Sequence, residues 1–538
     1  MKLTPDLREA ALRWIADDPD PGTRAELQRV VVAAMFGEPA AVADLANRMA
    51  GLRFGTAGLR GPVRAGPAGM NVAVVRRTTA GLATWLHAQG RGGGTVVLGH
   101  DARHGSAVFC EVAAQVLAAA GFAATVLPEP LPTPVLAFAV RRLGAVAGVQ
   151  ITGSHNPGVD NGYKVYLHDG AQLAPPSDAE IEAAITATPA AVAIPVSSMV
   201  PVVGDDLLEA YLDRVGALPR GTVRPLRVAL TPLHGVGGAP AVHALRRAGF
   251  TDVFVVGAQA APDPDFPTVA FPNPEEPGTT DALLALAAEV GADLAVALDP
   301  DADRCALGVA MPDRTWRMLS GDETGVLLGD HLLRSGGHHD PLVATTVVSS
   351  SMLAAVAAHH GARYAETLTG FKWIVRGGPG LVYGYEEALG YCVDPDAVRD
   401  KDGIAAAVLA CDLAAGLLAS GNTLLDRLDE LATTHGVHHT EGFSLHLSTA
   451  ARAAAVDRLR TAPPSGWTVE RPAPDVLVLR RAGERVVVRP SGTEPKLKAY
   501  LEVVEAVNGN LADARAVAQQ RLDGLRADLR EILACLGC

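Results

Sequence analysis

Short apolar segments alternate with longer Ala- and Leu-rich segments through most of this chain, and this alternation limits the possible folds more than any other feature. Strand-like runs at residues 95–98, 124–127 and 143–151 accompany a helical stretch at residues 110–120. Such alternation is typical of βαβ units, in which helices cover a largely parallel sheet. The sequence therefore predicts an α/β protein.

The pattern starts again at residues 226–230 and at residues 342–348. After residue 440 it changes to shorter strands, such as the one at residues 476–479, followed by a charged terminal helix. We predict three similar α/β domains with mixed sheets, followed by a smaller α+β domain. The Pro-, Gly- and polar-rich seams between them give the bounds 1–203, 204–319, 320–436 and 437–538.

The overall composition narrows the class of function. The chain has 538 residues and a formal net charge of −13, which disfavours a general affinity for nucleic acid. We expect no export signal and no membrane span, and the scattered cysteines favour a reduced protein. The expected location is cytoplasmic and the expected assembly a monomer or weak homodimer, while the terminal pair Cys535 and Cys538 has no assigned role.

Ser154 lies in a turn rich in Gly, Asn and Pro between two strand-like runs. On its own, such a segment is most simply a turn whose side chains cap their own backbone. A hydrolase elbow would need the pattern Gly-x-Ser-x-Gly, which is absent because Gly153 directly precedes the serine. Ser154 is a candidate phosphoryl acceptor only in combination with other motifs.

Three aspartates, Asp299, Asp301 and Asp303, directly follow the apolar run at residues 294–298. Carboxylates gathered at one strand end repel one another, and a hard divalent cation such as Mg²⁺ relieves that repulsion. The alternative is a solvated acidic turn. An EF-hand is disfavoured because its Gly and Glu positions are not matched.

A third strand end carries Arg489, Ser491, Gly492 and Thr493. Hydroxyls, a backbone N–H and a guanidinium form a set that can bind a phosphate dianion, although an ordinary strand-end turn has the same composition. A serine, a carboxylate cluster and an anion loop together are what phosphoryl transfer requires.

Five ordered motifs resemble those of the alpha-D-phosphohexomutases, a family that includes phosphoglucomutase, phosphomannomutase and phosphopentomutase. The resemblance spans nearly the whole chain. The motifs lie at residues 54–61, 152–157, 299–304, 384–390 and 489–498. It implies domains arranged around a central cleft and an enzyme that moves phosphate between C1 and C6, or C5, of an aldose phosphate. A phosphoserine and a sugar bisphosphate would be its intermediates.

The resemblance also implies roles for individual residues. Ser154 would carry the phosphate and, with the three aspartates, would hold Mg²⁺. Lys164 is the leading acid or base, which requires that burial or neighbouring cations such as Arg60 lower its pKa. His155 is the rival base, although the resemblance favours a phosphate contact. The implied substrate-binding residues are Thr56, Arg304, Thr369, Gly370, Lys372, Glu386, Arg489, Ser491, Gly492, Thr493 and Lys498.

The sugar-binding motif departs from the common hexose mutases, which carry a serine two residues after the glutamate where this chain has Ala388. Residues 370–374 and 386–390 are more similar to the branch with phosphopentomutases and glucose-1,6-bisphosphate synthases. Glucose, mannose, ribose and deoxyribose phosphates all stay open as substrates. Two alternative functions are a sugar-bisphosphate synthase or phosphatase on the same scaffold, and a non-catalytic sugar-phosphate sensor.

Overall fold

The computed structural model describes residues 3–55, 58–198, 206–447, 449–461, 463, 465–490 and 496–534. The chain divides into two compact units. Unit 1 comprises Met1–Leu319 and Gly390–Ala415, and unit 2 comprises Ser320–Leu389 and Gly416–Cys538.

The chain begins with a three-helix segment in unit 1. Each helix starts at a proline, which suits the first helical turn because the N–H of that position has no partner within the helix. Apolar side chains such as Leu27, Val31 and Leu45 form a small core between the helices. The helices are α1 (Pro5–Asp17), α2 (Pro21–Met35) and α3 (Pro39–Arg48).

The first sheet has five strands in the order β1-β5-β4-β2-β3. β2 is parallel to β3 and β4, whereas β5 is antiparallel to both β4 and β1, so the sheet is mixed. The strands are β1 (Leu59–Pro62), β2 (Thr95–His100), β3 (Ala123–Val126), β4 (Ala147–Ile151) and β5 (Asp160–Leu167). The helices are α4 (Val72–Ala88), α5 (Ser106–Ala119), α6 (Thr133–Arg142) and α7 (Ser177–Thr186). The parallel strands β2 and β4 end at one edge, so the loops that follow them meet there.

The second sheet repeats this plan in the order β10-β9-β8-β6-β7. β6 is parallel to β7 and β8, and β9 runs antiparallel to β8. Every residue of β8 is buried, as expected for a central strand. The strands are β6 (Arg227–Thr231), β7 (Asp252–Val255), β8 (Leu294–Leu298), β9 (Cys305–Ala310) and β10 (Trp316–Met318). The helices are α8 (Asp206–Gly216), α9 (Gly238–Arg247) and α10 (Asp281–Val290).

Unit 2 begins with a third α/β region in which β11 is parallel to β12 and β13. Its strands are β11 (Leu342–Thr346), β12 (Arg363–Thr367) and β13 (Leu381–Glu386), and its helices are α11 (Gly321–Ser335), α12 (Met352–His359) and α13 (Phe371–Ile374). The chain continues through β14 (Gly390–Cys392), α14 (Gly403–Ala419) and α15 (Leu424–His435). β14 and most of α14 belong to unit 1.

The last sheet is antiparallel throughout, in the order β15-β19-β18-β17-β16. Its strands are β15 (Val437–His446), β16 (Thr468–Ala473), β17 (Val476–Arg481), β18 (Glu484–Pro490) and β19 (Lys496–Glu505). The accompanying helices are α16 (Thr449–Thr461) and α17 (Leu511–Ala534). Three mixed α/β regions followed by this α+β region confirm the predicted fold class.

Within the described part of the chain, no single helix is long and apolar enough to cross a membrane. α14 and α15 reach that length and composition only as a pair, and the pair is bent by 88°. α14 is buried over most of its length. The four cysteines of the described residues, Cys110, Cys305, Cys392 and Cys411, are free and buried.

Candidate active site

Ser154 lies in the loop between β4 and β5, as the sequence predicts, and its side chain is buried. Its φ is +50°, in the left-handed region that L-residues other than Gly, Asn and Asp seldom adopt. The Thr152 hydroxyl oxygen accepts a hydrogen bond from the Ser154 N–H at 2.8 Å. A strained backbone of this kind persists only where its surroundings hold it, and such positions are common at functional sites.

The three aspartates follow β8 and are completely buried. One carboxylate oxygen from each lies within 4.8 Å of the others. The Ser154 hydroxyl donates to Asp299 Oδ2 at 3.2 Å, so unit 1 brings the serine and the carboxylate cluster together. Two loops about 145 residues apart in sequence therefore meet at one point.

The carboxylate cluster fits a hard divalent cation. Asp301 Oδ1 and Asp303 Oδ1 are buried and accept no hydrogen bond. Burial, together with the neighbouring charges of Asp301 and Asp303, raises the pKa of Asp299 well above its ordinary value. Unsatisfied carboxylate oxygens that repel one another are the ligands that Mg²⁺ and similar cations take. The three aspartates could therefore hold a metal ion.

Lys164 lies on β5 and forms ion pairs with two of the aspartates. Its Nζ donates to Asp301 Oδ2 at 2.6 Å and to Asp303 Oδ2 at 2.9 Å. Burial by itself lowers the pKa of Lys164, but the two carboxylates outweigh burial and raise the pKa above its ordinary value. The lowered pKa that a base role would need is thus absent here, because the lysine faces anions more closely than it faces Arg60.

His155, Arg60 and Arg304 surround the serine and the aspartates. His155 Nδ1 lies 3.3 Å from Ser154 Oγ, and burial, then Arg304 and Arg60, hold the pKa of His155 well below its ordinary value. Arg60 donates to Asn156 Oδ1 at 3.1 Å. The Arg304 N–H donates to Asp299 Oδ1 at 3.0 Å. A pKa held this low makes His155 a weak base, while its ring can still form a hydrogen bond with a phosphate.

Two basic residues of this region were missed by the sequence analysis. Lys401 Nζ lies 3.2 Å from Asp303 Oδ2, although it follows β14 in a segment that was assigned to the third domain. Arg103 follows β2, and its guanidinium contacts the serine loop. Arg103 could have been predicted from its place in the loop after a buried strand, because that loop lies at the sheet edge that also carries Ser154. Lys401 had no comparable signal.

The remaining sequence-predicted residues of the described chain lie in unit 2. Glu386 ends β13, and Thr369 and Gly370 precede α13, where Gly370 has a φ of +109° and Lys372 is buried. Arg489 on β18 is paired in register with Lys498 on β19, so the two basic residues are cross-strand neighbours. Thr56, Ser491, Gly492, Thr493, Cys535 and Cys538 lie outside the described residues.

Glu387, next to the predicted sugar ligand, is a polar anchor that the sequence analysis did not identify. Its carboxylate accepts hydrogen bonds from Thr346 at 3.1 Å and from Ser349 at 3.0 Å. Burial and the charge of Asp322 raise the pKa of Glu387. These bonds tie the turn after β13 to the end of β11, and they thereby fix the backbone that carries Glu386.

A buried serine beside three aspartates, with lysines and arginines around them, is an arrangement that suits phosphoryl transfer. Four family models match the chain in order. They are described as phosphoglucomutase/phosphomannomutase alpha/beta/alpha domains I, II and III and the C-terminal domain of the same family, at residues 51–191, 209–311, 320–435 and 449–519.

Known relatives agree with these matches. The chain is 38% identical over 481 residues to a Haemophilus influenzae protein named "probable phosphomannomutase", covering 86% of this chain and 98% of the relative. It is 34% identical over 447 residues to the phosphoribomutase of Saccharomyces cerevisiae, covering 75% and 71%. A solved phosphoglucomutase/phosphomannomutase family protein of Burkholderia thailandensis shares the fold, with a TM-score of 0.71, 21% identity and coverage of 89% and 97%.

The chain belongs to the alpha-D-phosphohexomutase family. It is a phosphosugar mutase, and therefore an intramolecular phosphotransferase. The alternative functions of a phosphatase, a bisphosphate synthase or a sensor are not favoured, because the curated relatives are named as mutases.

Proposed function

We propose that this mutase moves a phosphoryl group between C1 and the terminal carbon of an aldose phosphate through a phosphoserine at Ser154 and a sugar bisphosphate. The observation that supports this most directly is the hydrogen bond from Ser154 to Asp299 within the carboxylate cluster. A phosphoryl group on Ser154 would lie beside both the carboxylates and the basic residues that surround them.

In each half of the cycle one P–O bond breaks and one forms. In the first half, phosphorus leaves Ser154 Oγ and bonds to a sugar hydroxyl oxygen, so the sugar hydroxyl loses a proton and Ser154 regains one. The bisphosphate then turns around, and its other phosphoryl group returns to Ser154. No water enters this balance, which is why the cycle isomerises the sugar phosphate rather than hydrolysing it.

Lys164 is the proposed proton carrier. Because the carboxylates raise its pKa, it begins the first half protonated and acts as an acid toward the serine oxygen that leaves phosphorus. The sugar hydroxyl then resupplies that proton, and the second half reverses both transfers. His155, which lies 3.3 Å from Ser154 Oγ, is proposed to contact the phosphoryl group, while Arg60 and Arg304 balance the charge of that group.

Asp299, Asp301 and Asp303 would hold Mg²⁺, and the bound cation would withdraw negative charge from the phosphoryl group. The support comes from the two orphaned carboxylate oxygens and the mutual repulsion described above. The sugar bisphosphate is both intermediate and activator, since it restores the phosphoserine when that group is lost.

In unit 2, Thr369, Gly370, Lys372 and Glu386 are the proposed sugar-binding residues. Arg489 and Lys498, together with Thr56, Ser491, Gly492 and Thr493, are proposed to bind phosphate. Donors of this type bind a phosphate ester without reading which carbon bears it, and the reversal of the bisphosphate requires this indifference.

The substrate is proposed to be a hexose or pentose phosphate. The relatives carry phosphomannomutase, phosphoribomutase and phosphoglucomutase names, and Ala388 lacks one hydroxyl that hexose mutases use.

We further propose the four domain bounds given above, a cytoplasmic location, and a monomer or weak homodimer. Light scattering on the purified protein tests the last of these.

The deciding experiment combines turnover with mass spectrometry. Wild-type protein is assayed with glucose, mannose, ribose and deoxyribose 1-phosphates, Mg²⁺ and a sugar-bisphosphate primer, and intact mass shows whether the protein carries a phosphoryl group. Ser154→Ala should lose the phosphoryl mass and at least about 10³-fold in turnover, because the covalent route is removed. Ser335→Ala, on the exposed end of α11, is the control. Near-normal turnover of Ser154→Ala would overturn the proposal.

A further inference from the structure

Arg103, which lies in a different loop, binds the backbone of the loop that carries Ser154 at four points. Arg103 Nη2 donates to the carbonyl oxygens of Ser154 at 2.5 Å and Asn156 at 2.6 Å. Its Nη1 donates to the carbonyl oxygens of Pro157 at 2.7 Å and Asp160 at 3.2 Å. One guanidinium therefore binds four carbonyls within seven residues.

Asp101 and Phe266 in turn hold Arg103 in place. Asp101 accepts from the Arg103 N–H at 2.9 Å and lies 3.4 Å from its Nε, and the guanidinium stacks 4.9 Å above the ring of Phe266. The side chain of Arg103 is 1% exposed. The Arg103 guanidinium is planar and permanently charged. Because it is fixed in this way, it holds the loop in one conformation.

Gly153 shows how closely the Arg103 guanidinium packs against the loop. A Cβ at this position would lie 2.9 Å from Arg103 Nε, closer than real Cβ atoms approach, and 3.0 Å from both Arg103 Cζ and the Asp160 carbonyl oxygen, which is tighter than most such contacts. The backbone of Gly153 is outside the positive-φ region, so the side-chain space and not the backbone conformation requires glycine there. Gly153 thus allows the guanidinium to lie flat against the loop.

We infer that Arg103 is a positioning residue for phosphoryl transfer, which holds the left-handed backbone of Ser154 so that Oγ stays beside the aspartate cluster throughout the cycle. This rests on the proposed role of Ser154. Its Nη1 and Nη2 are engaged by loop carbonyls, which separates Arg103 from Arg60 and Arg304 as phosphate-neutralising groups. A misplacement of about 1 Å at a reacting atom lowers rates by about 10²-fold. Loss of the Arg103 guanidinium should therefore lower the turnover.

The test compares Arg103→Lys and Arg103→Ala with matched variants at Arg224. Arg224 also lies in unit 1, donates to the carbonyls of Val223 and Ala248, and stacks 5.2 Å from the ring of Phe250. The Arg103 variants should lose about 10²-fold in kcat while KM changes less than about threefold, because substrate contacts are intact. The Arg224 variants should keep kcat, and methylguanidinium should restore Arg103→Ala at least about tenfold.

Gly153→Ala supplies a second variant in case Arg103→Ala does not fold. It should lower kcat as Arg103→Lys does. In the Arg103→Ala background it should add a smaller loss than in the wild type, since the Arg103 contacts with the added methyl group are gone and only the Asp160 carbonyl oxygen still crowds it. Equal losses at Arg103 and Arg224, additive losses at Gly153 and Arg103, or failed rescue of a folded Arg103→Ala would each overturn the inference. A fully active Ser154→Ala would instead overturn the proposed function, so the two failures are distinguishable.

Discussion

A buried cluster of charges in unit 1, around the three aspartates, and another in unit 2, around Glu502, differ in how completely the protein satisfies their hydrogen-bonding groups. In unit 1, Asp301 and Asp303 each keep one buried oxygen without a hydrogen-bond donor. In unit 2, Glu502 accepts from the Ser351 N–H at 2.7 Å and from Ser350 Oγ at 3.0 Å, and it pairs with Arg485 at 2.7 Å.

The cluster around Glu502 is a structural connection between two sheets. Arg485 and Glu502 are cross-strand partners on β18 and β19, and Arg485 also donates to the carbonyls of Val347 and Ser349 after β11. Since a fully satisfied cluster offers no site for a ligand, its effect is on stability. The incomplete satisfaction of the aspartates in unit 1 is the observation that supports the proposed metal site there.

The largest predicted effect is a loss of turnover when an aspartate of the unit 1 cluster is substituted. Asp301→Asn removes a proposed metal ligand and the closest partner of Lys164, so kcat at saturating Mg²⁺ should fall at least about 10³-fold. Asp412→Asn is the matched control, because Asp412 is equally buried but accepts from the N–H groups of Arg220 and Gly221. Turnover of Asp301→Asn within tenfold of wild type would break the comparison.

The next effect is on stability in unit 2. Arg485→Met leaves Glu502 buried without its cation, which should lower the free energy of unfolding by about 3–5 kcal/mol. Hydrogen exchange of the β15 and β19 amides should show the loss locally, with amides of β4 and β8 as the internal control. A loss below about 1 kcal/mol, the range of a surface ion pair, would show that the cluster is not structural.

A smaller effect is the pH dependence of the same cluster. Burial alone would raise the pKa of Glu502, but Arg485 and His438 outweigh it and lower the pKa to about 2 from the ordinary 4.5. The stabilisation is therefore complete above pH 4.5 and is lost as the pH falls from 4.5 towards 2. It amounts to about 3 kcal/mol.

Urea unfolding of wild type and Glu502→Gln from about pH 6 down to about pH 2 measures this dependence. The stability difference between the two proteins should shrink over that interval, whereas Glu470→Gln, whose side chain is 59% exposed, should show no such change. A difference that stays constant with pH would contradict the lowered pKa.

The smallest effect concerns the sugar. Ala388→Ser introduces the hydroxyl that the resemblance implies for the common hexose mutases at this position, and one neutral hydrogen bond contributes about 0.5–1.5 kcal/mol. The ratio of kcat/KM for glucose 1-phosphate to that for ribose 1-phosphate should therefore rise about 2- to 10-fold. Ala388→Gly, which adds no hydroxyl, controls for backbone effects. An unchanged ratio would show that this position does not contact the sugar.

Local sequence patterns predicted the strands and loops that carry the proposed site residues. Ser154 and the aspartates each follow an apolar run that forms a buried strand, and period and composition identify such runs. The direction of the Lys164 pKa shift could not be predicted in this way, because it depends on two carboxylates 137 and 139 residues away. Arg103 and Lys401 were missed for a related reason, since polar residues in loops resemble any solvated turn.

The sequence by itself determined the order of strands and helices, the family, and the residue types available for phosphoryl transfer, because these depend on local periodicity and on motif identity. Only the tertiary structure decided which charges face one another, which carboxylate oxygens stay unsatisfied, and which arginine holds the serine loop. The physical reason is that electrostatic and hydrogen-bond energies depend on distance and burial in three dimensions, whereas hydrophobic patterning is already expressed along the chain.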